Sequence, residues 1–353
     1  MALWWMDSVD GYSSAWVASR YTTFGTAPTV VNNGRTGLNA LNFNTPGTGA
    51  LSYLGVKGVS IPATAPITLY YGGAILIPNG FFANASQYIT VYQLPQWGGA
   101  NGIACRIYGD GSMQSAFAGA FAPAGSFGFG AYHYVEMAAI NGASNFETTI
   151  WVDDVQVADG TVATPQSVTI TTVLFGIIVV GASAGNPNGT IQIDDFHFYD
   201  SSGAFYNARS GDVDIFIEPP NGPGRVTGLF SNNAGGGSQN WQNVDEIPPD
   251  SDTSYIYDQN AGDEECFTVT PPGALAGASI LGQQVTLVAK KATATGTRQI
   301  AGGLGNGSAE AFGTPVSLGT AYAMYSFPFS NDPVSGGAFD PTISYQAAVE
   351  ITT

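Results

Sequence analysis

Residues 212–218 read Asp-Val-Asp-Ile-Phe-Ile-Glu and are the nearest the chain comes to a catalytic acidic strand. Hydrolysis of a glycosidic bond with retention needs two carboxyls roughly 5 Å apart, one as acid and one as nucleophile. Period-two alternation predicts a strand here, with Asp212, Asp214 and Glu218 on one face and Val213, Ile215 and Ile217 on the other. A half-buried strand with a solvated acidic face has the same pattern, and that is the preferred reading. No catalytic residue is therefore assigned.

Two acidic pairs could offer oxygens to calcium, a hard cation that takes six to eight of them. They are Asp153-Asp154, between Thr148–Val152 and Val155–Val157, and Asp194-Asp195, inside Ile191–Tyr199. The competing expectation for the first pair is a hairpin turn. For the second it is one acid facing out and one bonding to backbone. No cofactor is expected, and calcium is the one metal to test. Eight acids and no base lie between Asp245 and Glu265, but their spacing fits no calcium-loop pattern, so a solvated loop is expected. His133 and His197 are the only histidines, and each sits in an alternating strand, which points to packing. Cys105 and Cys266 are far apart and are expected to be buried and reduced. A phosphate loop and Cys-x-x-Cys are absent from the sequence.

Tryptophan faces can stack on sugars, and Trp4, Trp5, Trp16, Trp97 and Trp241 are the candidates considered. Trp97 is the glycan-binding candidate, because it lies in the loop sequence Pro95-Gln-Trp-Gly-Gly99. Most tryptophans of a β-sandwich serve cores or interfaces instead. Trp4 and Trp5 are the interface candidates, and a homo-oligomer is expected from them.

The elements that must position these residues are strands. The chain has 353 residues, more than one core usually serves, so two domains are expected. Charged residues make up only 10%, there are three lysines, and Gly 47 with Pro 20 punctuates the sequence, a strand-and-turn composition. Strand signals recur at Thr68–Tyr71, Ala74–Ile77, Tyr88–Tyr92, Ala104–Tyr108, His133–Met137 and Val173–Val180, with a tight turn at Gly109-Asp-Gly111. Domain boundaries are placed at 1–211 and 212–353. The first span holds 5 basic and 11 acidic residues and the second 4 and 15. A net charge of −17 with scattered basic residues argues against binding nucleic acid or an anionic membrane. The first residues, Met-Ala-Leu-Trp-Trp-Met-Asp, do not read as a signal peptide, so synthesis in a cytoplasm without ordinary export is expected.

Four stretches resemble the concanavalin A-like lectin/glucanase (laminin-G-like) family, in a form common in tailed-phage structural proteins. They are Asp7–Tyr12, Gly34–Leu38 with Leu41-Asn-Phe43, the hairpin Trp151–Val157, and the closing Ile193–Gly203. Gly211–Ile215, Pro220–Gly222, Asn240–Glu246, Asp250–Ile256 and Phe339-Asp-Pro341 resemble the continuation in such phage proteins. The resemblance implies an all-β fold, a jelly-roll sandwich followed by a second, smaller β-sandwich domain. It also implies a non-enzymatic virion structural protein: a capsid decoration, collar or tail-fibre component that contacts other virion proteins. The glucanase motif Glu-x-Asp-x-x-Glu is missing. A carbohydrate-binding module is the alternative, and a glycoside hydrolase the lesser one.

Overall fold

The computed structural model describes all residues except 1, 12, 36–37, 48, 58, 64–65, 97–101, 117–118, 120, 164–167, 182–185, 206, 235–236 and 271–277. Its regular structure is almost wholly antiparallel strand, with one seven-residue α-helix, Ser14–Arg20, and a 3-10 helical segment, Gly237–Asn243, among the described residues. Among the described residues no helix is long and apolar enough to cross a membrane. The chain divides into two compact units. The first contains residues 6–9 and 13–215, the second residues 2–5, 10–12 and 216–353.

The first unit holds two large sheets. One runs, in spatial order, Val155–Val162, Phe146–Val152, Tyr132–Asn141, Ile67–Leu76, Asn188–Asp200, Ala40–Pro46 and Thr29–Val31. The other runs Phe121–Ala122, Met113–Ser115, Ile103–Tyr108, Tyr88–Leu94, Leu174–Gly181, Ser52–Val56 and Tyr21–Gly25. The predicted apolar run at 173–180 is the buried strand Leu174–Gly181.

Aromatic rings join the two sheets. Tyr71 meets Tyr92 edge-on at 5.8 Å, Phe43 meets Phe175 at 5.9 Å, and Phe175 stacks on Phe196 at 4.2 Å. Each such ring buries a large apolar area, and edge or offset geometry adds to that gain. Gly176, at φ +120°, leaves the space that Phe43 fills, since a Cβ there would sit 2.7 Å from the ring. Cys105 is in this core, free and fully buried, and burial pushes its thiol up to about 12.

At the start of the unit Asp7 is buried and gathers three partners. Its carboxylate accepts from Arg20 Nε at 2.6 Å, from the Val9 amide at 2.8 Å and from the Tyr21 hydroxyl. The helix Ser14–Arg20 thus delivers a cation to the carboxylate that would otherwise be stranded in the core.

The second unit has a six-stranded sheet with Pro220–Pro223, Glu264–Val269, Gln346–Ile351, Gln299–Gly305 and Glu310–Phe312 in order, and Val316–Ser317 paired with Gln299–Gly305. A two-stranded ribbon, Gln283–Ala289 with Ala323–Phe329, supplies Val285, Phe327 and Phe329 to a core shared with Leu304, Phe339 and Tyr345. Trp5 belongs to this unit and is buried at 8% exposure, while Trp4 is half-buried.

The strand expected over 212–218 is corrected: these residues form no ladder. Their polar contacts go to side chains instead. The Ile215 amide donates to Asp195 Oδ1 at 3.1 Å, and the Val213 carbonyl accepts from Arg35 Nη1 at 3.1 Å. Charged side chains take the Asp212 and Ile215 amides and the Val213 carbonyl, groups that a ladder would otherwise use.

Candidate functional site

The face of the first sheet turned away from the aromatic core carries a set of charged groups in mutual contact. Register explains how they meet. Trp151 lies opposite Glu136, Glu136 opposite Gly72, and Gly72 opposite His197. Directly opposed residues share a face, so these four stand in one row across four strands. Gly72 has no side chain, and Glu136 and His197 approach across it to 3.9 Å. A Cβ on Gly72 would lie 2.8 Å from the Val135 carbonyl oxygen and 3.1 Å from Glu136 Cα.

The next rows flank this one. Tyr134, Ala74 and Asp194 form one, and Ala138, Tyr70 and Tyr199 the other. Tyr199 donates its hydroxyl to Glu136 Oε1 at 3.0 Å, and the Tyr134 hydroxyl lies 3.0 Å from His197 Nδ1. The rings of Tyr134, His197, Tyr199 and Tyr70 are successively stacked at 6.0, 5.4 and 4.9 Å.

Residues 208–215 lie across this face as a strap. Arg209 sends Nη1 to Glu136 Oε2 at 3.0 Å and Nη2 to Asp154 Oδ1 at 2.6 Å, with its guanidinium 5.1 Å from the Trp151 ring centre. Ser210 donates its hydroxyl to Glu136 at 3.1 Å and its amide to the Tyr199 oxygen at 2.6 Å. The Asp212 amide donates to Asp154 Oδ1 at 3.1 Å. Glu136 is fully buried at 0% exposure. Burial opposes its charge, but the hydrogen bond and charge of His197 and the charge of Arg209 outweigh that and hold the carboxyl below its ordinary value.

The two acidic pairs proposed for calcium are both found here. Asp153 and Asp154 form the turn between Phe146–Val152 and Val155–Val162, with φ of 47° and 67°. Two central residues at positive φ match the right-handed twist of the flanking strands. Asp153 accepts from the Tyr134 amide at 2.8 Å and faces His133 Nδ1 at 2.6 Å, while Asp154 takes Arg209 and the Asp212 amide.

Asp194 and Asp195 sit at a β-bulge. Asp194 opposes Ala74 and His197 opposes Gly72, so Asp195 and Phe196 together face Gly73. The extra residue resets the phase of the strand. Ile191, Ile193, Phe196 and Phe198 are all buried, and the unbroken alternation expected over 191–199 is corrected. The expectation that one acid of this pair faces out is corrected too, since Asp194 and Asp195 are each 1% exposed. Asp194 Oδ2 accepts from the Arg35 amide at 2.8 Å, and its Oδ1 from the Asp195 amide at 2.9 Å.

Neither pair fits calcium. Both oxygens of Asp153 and of Asp194 are engaged by the chain's own amides and His133, Asp154 Oδ1 by Arg209 and Asp195 Oδ1 by the Ile215 amide. Asp195 Oδ2 has no hydrogen-bond partner and stands 3.6 Å from Arg35 Nη1. A calcium ion needs six or more free oxygens in the place these cations occupy.

Asp212 and Asp214, from the acidic run, pair with Arg35 Nη2 at 2.7 and 3.5 Å. Trp97 lies outside the described residues. In the second unit the acidic run 245–265 is not simply solvated: Glu265 is fully buried and takes the amides of Gly228 and Phe230 at 3.0 and 3.2 Å. Glu264, Cys266 and Glu310 bring three ligand atoms within 4.8 Å of one another. Arg225 already bridges Glu310 and Glu264 there, and burial pushes the Cys266 thiol up to about 12, so the group is an ion pair over a neutral thiol.

Sequence reasoning missed Glu136, His197 and Arg209 as a cluster, because they come from three distant segments. The signal that could have found them is Gly72-Gly73 in the middle of an apolar strand, which marks close approach by neighbours.

The strand order defines a class: an all-β, two-sheet antiparallel sandwich. No protein-family model matches the sequence, and no curated protein does. Among solved structures the chain is similar to an endo-1,3-beta-glucanase from Streptomyces sioyaensis, at 12% identity and a TM-score of 0.36 over 56% of this chain and 96% of that one. It is similar to a GH131 beta-glucanase catalytic domain from Podospora anserina at 9% identity and a TM-score of 0.32, covering 59% and 98%. It is also similar to a legume lectin-like domain from Entamoeba histolytica at 10% identity and a TM-score of 0.31, covering 52% and 91%. Likeness at this level says nothing of what the chain binds or does.

Proposed function

We propose that this chain is a non-enzymatic structural protein that acts through subunit contacts, a component of a tailed-phage particle. The observation that carries the non-enzymatic reading is the strap. The carboxylates of the sheet face are engaged by residues 208–215 and by Arg35, and they fix the course of the chain. A retaining hydrolase needs two carboxyls open to a sugar. Placement on a virion rests on the order of the sequence motifs and on the lysine-poor acidic composition.

Mass spectrometry of purified particles, with copy number counted against the major capsid protein, is the test. A stoichiometric copy number is expected, and absence from the particle overturns the reading. Sugar release from a polysaccharide panel that disappears in Glu136→Gln, with the variant still folded by circular dichroism, would make the protein a hydrolase instead. Binding on a glycan array that is lost in Trp97→Ala would make it a carbohydrate-binding module.

A further inference from the structure

The Asp194–Asp195 bulge has a job the sandwich alone does not require. Asp195 stands at φ 51°, buried beside a second carboxyl, with Oδ1 on the Ile215 amide and Oδ2 without any hydrogen-bond partner. Ile215 is the last residue of the first unit before the chain enters the second. We propose that Asp195 is a proton-controlled clasp: with a proton bound it holds residues 212–215 on the sheet face, and on losing that proton it loosens them.

The groups around Asp195 set the balance. Asp194 precedes it on the same strand. Arg35 approaches from the loop before Ala40–Pro46, at 3.6 Å from Oδ2. Asp212 and Asp214 lie on the strap and both pair with Arg35. Tyr132, from the strand beyond Ile67–Leu76, feels both Asp194 and Asp195. One guanidinium thus faces three carboxyls, and two of them, Asp212 and Asp214, compete with Asp195 for it. A proton on Asp195 removes one negative charge from this group without disturbing the oxygen that holds Ile215.

Burial first, and then the charge of Asp194, raise the Asp195 carboxyl to about 8 against the Ile215 amide and Arg35. The closed strap therefore binds a proton that a released, solvated Asp195 would not. Closure is strongest in the ordinary carboxylate range, weakens as pH rises, and levels off above about 8. The clasp operates whatever the protein assembles with.

Hydrogen–deuterium exchange of the full-length protein in a chelator-containing buffer tests it, read on the peptide spanning 212–216 and corrected for intrinsic exchange rates. Protection in the wild type is expected to fall by as much as about tenfold per pH unit between about pH 5 and 8, the slope of one linked proton. Asp195→Asn should remove the slope, while Asp214→Asn, an exposed neighbour, should keep it. Wild-type protection that does not change with pH overturns the clasp, and this arm needs no variant to fold. A slope that survives in Asp195→Asn also overturns it. So does a rise in protection on adding calcium that the wild type shows and Asp195→Asn does not, because a metal would then occupy the place given to the proton.

Discussion

Glu136 shows what a single buried charge can organise. Its two oxygens reach Tyr199, Arg209 and Ser210, which come from the closing strand and the strap. Glu136→Gln keeps the shape and removes the charge, and it is expected to cost about 2 kcal/mol, the size of a charge-assisted hydrogen bond, in urea unfolding at neutral pH. The sign with pH is fixed by the depressed carboxyl. Its stabilisation is present above the ordinary carboxylate value and is lost as pH falls through the folded value, so wild type and variant should converge in acid. Gly72→Ala tests the other half of the arrangement. Its Cβ meets backbone at 2.8 Å rather than a flexible side chain, and a loss of about 1–3 kcal/mol in the same unfolding measurement is expected.

At the scale of the element, the hairpin around Asp153-Asp154 was legible because two acids between two alternating apolar runs can only turn. Asp154→Ala places a side chain with no local hydrogen bond at φ 67° and removes the Arg209 contact, so a loss of about 1–2 kcal/mol in thermal or urea unfolding is expected. The closing strand was legible in extent and not in phase. Alternation counts positions and cannot see that Asp195 is an inserted one, and the bulge depends on Gly73 in a strand more than a hundred residues earlier. The acidic run at 212–218 misled for a related reason. Period two describes an extended chain, and an extended chain can be a strap as well as a strand. The charged face was illegible because Glu136, His197 and Arg209 each look ordinary in their own segments. Only the register with Gly72 makes them neighbours.

At the scale of the whole molecule, 26 acids stand against nine basic residues, and Arg20, Arg35, Arg209 and Arg225 are all committed to carboxylates. Few cations remain to offset the long-range repulsion, so screening should help more than it harms. The melting temperature is expected to rise by a few degrees, roughly 1 kcal/mol, between about 10 and 150 mM sodium chloride. A melting temperature that falls with salt would mean that the local ion pairs dominate. Composition made the all-β class and the acidity legible, but not where the positive charges are spent. The strap finally bears on how the first unit would answer force. A pull entering at residue 215 meets Ile215 on Asp195, then Val213 on Arg35, then Asp212 on Asp154 and Arg209 on Glu136, one contact after another, before any ladder of the sheet is loaded. Such a sequence peels at low tension and reforms when the load drops, so the strap would act as a shock absorber for the sandwich behind it.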